Sequence, residues 1–514
     1  MNRKNLIDKI ASTPLWDVII IGGGATGLGA AVDSAARGFK TLLLEQADFA
    51  KSTSSRSTKL VHGGVRYLQQ GDVGMVVEAL RERGRMLRNC PHLVKDMRFI
   101  IGNYRWWEMP FYSIGLTMYD VLAGKLGFGR SLPMSKSSVL KELPGINRDG
   151  LYGGVVYHDG QFDDSRMAVT LALTADDLGA VCLNYFKVES LLKQDGKICG
   201  VRAADKVGGT EYELKGKVVV NCTGVFVDDI MVMDAPESRK KVRPSQGVHL
   251  VVDSSFLGGD SALMIPKTKD GRVLFGVPWH GKAVLGTTDT PLESSSLEPR
   301  ALDEEIDFIL DQAGQYLAKK PSRADVLSVF AGLRPLAAPQ NESESKKTKE
   351  ISRSHKIYTS KSGLLSITGG KWTTYRVMAE EVINAAIKIA GLEFRPSITK
   401  DMKLHGYKKD VDRSKWSYVY GSDAEEIEKL GNAPLSDEYT FTDGQVIWAV
   451  RNEQAVTVED VLARRVRALF LDARFAIKIA PKVAEIMAKE LGKDEAWQSQ
   501  QVDAFSQLAQ GYIL

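Results

Sequence analysis

Absences narrow this sequence quickly. Its four cysteines, Cys90, Cys182, Cys199 and Cys222, form no C-x-x-C pair and show no metal-like spacing. That argues against a disulfide framework, a zinc ribbon or an iron–sulfur centre. Scattered thiols in a chain of 514 residues read instead as reduced, buried cysteines of a cytoplasmic protein. Seven histidines without an H-E-x-x-H pair lead us to expect no bound metal. The formal charge of +4 is small for this length, so no nucleic-acid partner is expected. No stretch approaches the roughly 18 apolar residues of a membrane span. The apolar run at 18–21 ends in glycines and reads as a strand, not as the core of a secretory signal.

What is present suits a globular protein of roughly three domains of about 150 residues each. A strand at 17–21, a helix at about 26–37 and a strand at 41–44 make half of a doubly wound α/β unit. A helix follows at 73–87, with Arg81, Arg83, Arg85 and Arg88 expected on a solvated face. Short β-rich runs dominate 150–253 and 274–284, with Gly276, Gly281 and Gly286 read as turn glycines. Residues 341–350 are polar and charged, which suits a surface loop. Beyond Gly391 helical patterns take over, notably at 457–471 and 473–491. Thr457 is expected as an N-cap with Asp460 at the capping-box position, and Pro481 is expected to open a new helix. The stretch 109–119, with Trp106 and Trp107 ahead of it and Phe111 and Tyr112 inside it, is too short to span a bilayer. It suits either an interfacial segment or buried core.

The first chemical motif is Gly22, Gly24 and Gly27, a G-x-G-x-x-G that directly follows a strand and opens a helix. The first glycine permits the tight turn, the second admits a pyrophosphate to the backbone, and the third allows close packing of helix on strand. The helix N-terminus offers N–H groups and its positive dipole end to phosphates. Glu45 closes the second strand 18 residues after Gly27, where a carboxylate accepts hydrogen bonds from an adenosine ribose. The loop alone does not separate FAD from NAD.

Three later segments bear on the cofactor. Residues 52–67 read STSSRSTKLVHGGVRY, too rich in small and polar residues for an ordinary helix. Asn221, Cys222, Thr223 and Gly224 follow an apolar strand, and Gly369, Gly370 and Lys371 follow another ahead of Thr373, Thr374, Tyr375 and Arg376. With IGGGATGLGAAVDSAARG, IPKTKDGRVLFGVPWHGKAVLGTTDT, AGLRPL and TGGKWTTYR, these segments resemble the FAD-dependent, quinone-linked glycerol-3-phosphate dehydrogenases of the D-amino-acid-oxidase-like flavoprotein group. The helical tail VEDVLARRVRALFLD is similar to that family's C-terminal domain. Trp372 stands where an aliphatic residue is expected, Cys222 replaces an alanine, and the 341–350 segment is unusually charged.

The resemblance implies an α/β (α+β) architecture: a Rossmann-type FAD-binding domain interleaved with a β-rich substrate domain, plus a C-terminal helical domain. The first two would fill 1–392, with FAD parts at about 14–90, 150–245 and 355–392, and the helical domain 393–514. It further implies oxidation of the C2 alcohol of sn-glycerol 3-phosphate to dihydroxyacetone phosphate, with a hydride passing to bound FAD. Arg66, Tyr67, Arg334 and Arg353 are the implied substrate-binding residues, since arginine's planar fork suits a phosphate. His249, Arg334 and Lys371 are the implied catalytic set, with His249 as proton acceptor or orienter, since a histidine's ordinary pKa suits general-base work. Gly22, Gly24, Gly27, Glu45, Ser54, Ser55, Lys59, His62, Gly63, Gly224, Gly370, Lys371 and Thr374 are expected to hold FAD. With no second redox motif, electrons are expected to go to an external acceptor, membrane quinone. Peripheral contact with the inner face of the cytoplasmic membrane and a homodimer accompany that expectation. A glycerol-3-phosphate oxidase releasing H2O2, and an amino-acid oxidase or dehydrogenase on the same scaffold, stay open.

Overall fold

The computed structural model describes residues 1–65, 72–338 and 355–514; Arg66, Tyr67, Arg353 and the charged 341–350 segment lie outside the described residues. Two sheets organise the chain. The first is centred on the parallel strands Thr41–Leu44, Trp16–Ile21, Glu211–Asn221 and Leu365–Thr368, in that spatial order. Its central strands are buried on both faces, as parallel strands covered by helices must be. The helices Ala25–Ala36, Asp164–Asp177 and Tyr375–Ala390 cover one face through a shared core, and the other face packs against the helix Arg3–Ser12 and the strands Phe186–Gln194 and Lys197–Asp205. The second sheet is larger and mostly antiparallel. In it Val242–Asp253 lies between Ser328–Ala337 and Lys282–Gly286.

The C-terminal helical domain packs on this second sheet. Its apolar core takes in Val251, Trp279, Val284 and Phe330 from the strands together with Phe470 and Phe475 from the helices and Tyr512 from the turn after the helix Glu495–Gln510. Two expectations for it need correction. Asp460 does accept from the Thr457 amide while Thr457 Oγ1 accepts from the Asp460 amide, yet no continuous helix follows. The chain winds one wide π-helical turn, Asp460–Arg465, and breaks at Arg467 with φ of 68°. Conversely, Ala473–Leu491 runs unbroken through Pro481. Burial of Ile479, Ala480, Val483, Ala484 and Met487 along one face outweighs the roughly 3 kcal/mol of an interior proline.

Two side-chain expectations also fail. Arg83 is buried, not solvated: its Nη1 donates to Asp159 Oδ1 at 2.6 Å, and the guanidinium lies over Phe128. Gly276 and Gly286 are strand residues rather than turn residues, leaving Gly281, with φ of 75°, at the hairpin turn.

His405 ties the C-terminal domain to the helix Asp164–Asp177. Its Nδ1 meets Asp177 Oδ2 at 2.6 Å and its Nε2 meets Asp423 Oδ2 at 2.8 Å. Burial works against a charge here, but the two carboxylates outweigh it and raise the imidazolium from 6.5 to about 9. A raised folded-state pKa gives stability that is complete below the unfolded value and is lost as pH rises through the folded one. We therefore expect His405→Asn to cost about 2 kcal/mol at pH 6, allowing for partial solvent screening. Thermal melts of the two proteins should differ at pH 6 and converge at pH 10.

Candidate active site

Two cavities meet between the sheets. One, about 410 Å³, runs over the glycine-rich loop; the other, about 300 Å³, opens against the second sheet. Both are walled by Thr53, Pro335, Gly369, Gly370, Lys371 and Trp372, so they share one boundary.

The larger cavity is shaped for a dinucleotide. Gly22 has φ of 110°, and a Cβ there would lie 2.7 Å from the Cys222 carbonyl oxygen. At Gly27 a Cβ would collide with the carbonyl of Gly22, so this glycine serves packing and does not line the cavity. The helix that follows starts at Ala25 with Gly24 as its cap, a residue with no side chain of its own to close the end. Its N-terminal dipole thus faces the cavity, as an anion requires. Ser54 Oγ accepts from the Ala25 amide at 2.9 Å and fixes the serine-rich loop against this helix end. Glu45 Oε2 accepts from the Gly23 amide at 2.6 Å and Oε1 from Ala47 at 2.9 Å. The carboxylate braces the loop while still lining the cavity. Gly224, with φ of 60°, closes the opposite wall. A helix end capped by a glycine, two glycines whose side-chain space is already filled and a half-buried acidic residue together fit the pyrophosphate and ribose of FAD.

Several residues expected at the cofactor are placed elsewhere. Lys59 lines neither cavity; its ammonium is fully buried, donating to Asp164 Oδ2 at 2.8 Å and to the Ser55 carbonyl at 2.7 Å. Ser55 turns its hydroxyl to the Ser52 carbonyl. Gly63 spends its amide on Tyr119 and Asp159. Thr374 is buried, with its hydroxyl on the Lys371 carbonyl. These side chains brace the turns that carry the lining residues. His62, Gly370 and Lys371 do line the smaller cavity. Gly370 has φ of 77°, and a Cβ there would collide with Met378.

The smaller cavity gathers His62, His249, Arg334 and Lys371. Arg334, on the strand Ser328–Ala337, donates to the Thr288 carbonyl at 3.0 Å and sits 3.4 Å from Asp289. Opposite it, a Cβ at Gly247 would collide with the guanidinium, so glycine at that strand position leaves room for the cation. His249 lies at its own register position against Gly286, where a Cβ would collide with the ring. Its Nε2 is 2.8 Å from Thr58 Oγ1 and its ring stacks on Phe330 at 4.9 Å. Burial, then Lys59 and Arg334, push its pKa well below the usual 6.5. Burial and the two cations thus favour the neutral imidazole, and a dianion beside it would act the other way.

Trp372 lines both cavities and donates from Nε1 to the Ser54 carbonyl at 2.9 Å. The bulky substitution thus ties the Gly-Gly-Lys turn to the serine-rich loop. Sequence reasoning passed over Asp289, Thr58, Asp164 and Arg467, which hold the expected residues. Thr58 had a signal in its run of small polar residues; Arg467, far along the chain, had none.

A family profile described as "FAD dependent oxidoreductase" matches residues 17–376, and one described as "C-terminal domain of alpha-glycerophosphate oxidase" matches 366–498. The mitochondrial glycerol-3-phosphate dehydrogenase of Bos taurus is 38% identical, covering 98% of this chain and 74% of its own length. That of Schizosaccharomyces pombe is also 38% identical, covering 100% and 89%. The crystal structure of the glycerol-3-phosphate dehydrogenase from Bacillus halodurans complexed with FAD superposes with a TM-score of 0.80 at 28% identity, covering 100% of this chain and 98% of that one. Replacing Gly24 with valine should yield folded protein without FAD; a stoichiometric flavin absorbance in Gly24→Val would contradict the loop assignment. By its profile matches, its full-length relatives and this cavity, the chain belongs to the FAD-dependent glycerol-3-phosphate dehydrogenases.

Proposed function

We propose that this enzyme oxidises the secondary alcohol of sn-glycerol 3-phosphate to the ketone of dihydroxyacetone phosphate and passes the electrons to a lipid-soluble quinone. The observation that carries this reading is one cavity lined by Arg334, Lys371 and the buried His249. FAD, when bound, supplies the hydride acceptor. Arg334 holds the phosphate, with the Thr287–Asp289 turn fixing its fork. His249 takes the hydroxyl proton, and Lys371, at the boundary of the two cavities, balances the negative charge that develops there. Arg66, Tyr67 and Arg353 complete the substrate site in this reading. The C-terminal helical domain is taken to begin at 393, after the helix Tyr375–Ala390 stops on a left-handed Gly391.

A specific surface supports the acceptor. The helix Glu108–Ala123 buries Leu116, Tyr119 and Ala123. Its outer face carries Trp107, Phe111, Ile114, Met118 and Val121 at helical spacing, with Ile114 at 67% and Val121 at 74% exposure. Exposed apolar stripes of this kind mark docking sites. The buried side continues, through Met109 and Tyr112, into Leu60, Val65, Phe99, Tyr157, Met264 and Phe275. These six form the apolar wall of the smaller cavity. No helix among the described residues is long and apolar enough to cross a membrane, so we assign this face to peripheral contact with a bilayer on the cytoplasmic side.

Anaerobic sn-glycerol 3-phosphate should bleach the flavin, and glycine or sarcosine should not; the reverse result would move the enzyme to amino acids. Quinone reduction without peroxide release separates the dehydrogenase from an oxidase. Arg334→Ala should raise KM by about 10²-fold or more, as expected when a charge-assisted fork is lost, with FAD retained. The pair Ile114→Glu and Val121→Glu should abolish co-sedimentation with anionic vesicles while dye-linked turnover persists. Unchanged sedimentation would sink the membrane assignment.

A further inference from the structure

Behind His249, on the side away from the substrate cavity, lies a buried ionic cluster that sequence position alone would never assemble. Asp164, at the start of the helix Asp164–Asp177, accepts from the Ser57 amide at 3.0 Å, the Ser57 hydroxyl at 2.7 Å and Lys59 Nζ at 2.8 Å through Oδ2. Its Oδ1 accepts from Arg467 Nη2 at 3.0 Å. Arg467 also donates to the Ser55 carbonyl at 3.0 Å. One carboxylate therefore grips the chain on both sides of Thr58, and an arginine of the C-terminal helical domain closes the cluster. Thr58 itself lines the cavity, with Oγ1 2.8 Å from His249 Nε2.

Two further features show that this arrangement is imposed on the local chain. Lys59 and Arg467 both adopt left-handed backbone conformations, with φ of 64° and 68°, which cost non-glycine residues about 1–3 kcal/mol each. Aromatic rings then enclose the cluster. Lys59 Nζ lies 5.0 Å from the Phe330 ring and 5.4 Å from that of Phe470, and Phe330 is the ring on which His249 stacks. Burial pulls the Lys59 ammonium down to about 7, against the pull of Asp164.

We propose that Thr58, held by Asp164, Lys59 and Arg467, is a positioning residue that orients His249 for proton transfer, making the C-terminal helical domain a working part of the oxidation site. This rests on His249 being the proton acceptor. The Thr58 hydroxyl is the only hydrogen-bond partner of the imidazole among the described residues. Its placement decides which ring orientation the substrate meets, and a misplacement of about 1 Å at such a centre costs on the order of 10²-fold in rate.

The test is stopped-flow reduction of the FAD holoenzyme by sn-glycerol 3-phosphate without oxygen, reading limiting rate and substrate Kd separately. Thr58→Val should slow reduction by about 10-fold to 10²-fold with Kd and FAD content unchanged, and Thr58→Ser should restore most of the rate. Arg467→Lys should slow it too, and the double variant should be no slower than Thr58→Val alone, because residues acting in one chain are not additive. If Arg467→Lys does not fold, Ser57→Ala takes its place, removing one grip of Asp164 without burying a charge, and the same pattern is expected. Wild-type reduction in Thr58→Val, a loss confined to Kd, or additive losses in the double variant would overturn the proposal. His249→Gln separates the two ideas: wild-type reduction there removes the proton-acceptor reading itself. Slow reduction there with a fast Thr58→Val removes only this inference.

Discussion

The structure depends on a charge buried where no water reaches it. Asp48 accepts from Arg464 Nε at 2.5 Å and from Arg465 at 2.7 and 2.9 Å, and all three side chains are shut off from solvent. Burial disfavours the anion, yet Arg465 and Arg464 hold its carboxyl well below the usual range. Removing one partner of such a set leaves an uncompensated charge and costs about 3–5 kcal/mol. The chain leaves Asp48 directly into the serine-rich loop that bounds both cavities. The position of that loop is therefore set from the C-terminal domain as much as from the nucleotide fold. Lys51, ion-paired to Glu459 and Glu298, and Arg56, paired to Glu298, extend the same seam.

This explains an asymmetry in what could be read in advance. The glycine loop, its flanking strands and Glu45 were legible because they are local: a tight turn, a helix end and a strand end lie within one short stretch, and backbone sterics dictate them. Arg334, His249 and Lys371 were legible only through resemblance, since strand pairing in the second sheet brings His249 and Arg334 to one cavity and Lys371 reaches it from the end of the first sheet's Leu365–Thr368 strand. Lys59, Ser55, Gly63 and Thr374 carried the right context, yet their polar groups are spent on the protein itself. Each neighbours a lining residue in the chain, and local sequence does not say which members of such a turn face a cavity and which face the core.

The helical tail misled in the other direction. Thr457 and Asp460 carry the correct cap, but tertiary demands override propensity immediately afterwards. A regular α-helix would put Arg464 and Arg467 on one face and turn Arg465 about 100° away from Arg464. The wide turn and the left-handed Arg467 bring all three toward buried carboxylates instead: Asp48 for the first two and Asp164 for the third. Periodicity reports apolar burial and is silent about buried charge, so it had no means of anticipating this. Pro481 shows the converse, a local breaker tolerated because an apolar face holds the helix on both sides of it.

Tyr119 has a consequence of its own. On the helix whose outer face is apolar, its hydroxyl donates to Asp159 at 2.9 Å and accepts from the amide of Gly63, next to His62 of the substrate cavity. One hydrogen bond thus links the helix to the chain segment that walls the cavity, so a shift of the helix would be felt there. Thermodynamic reciprocity then applies: if docking changes affinity for substrate by some factor, substrate changes the affinity of docking by the same factor. With such coupling, residence on a surface would rise or fall with the amount of substrate present.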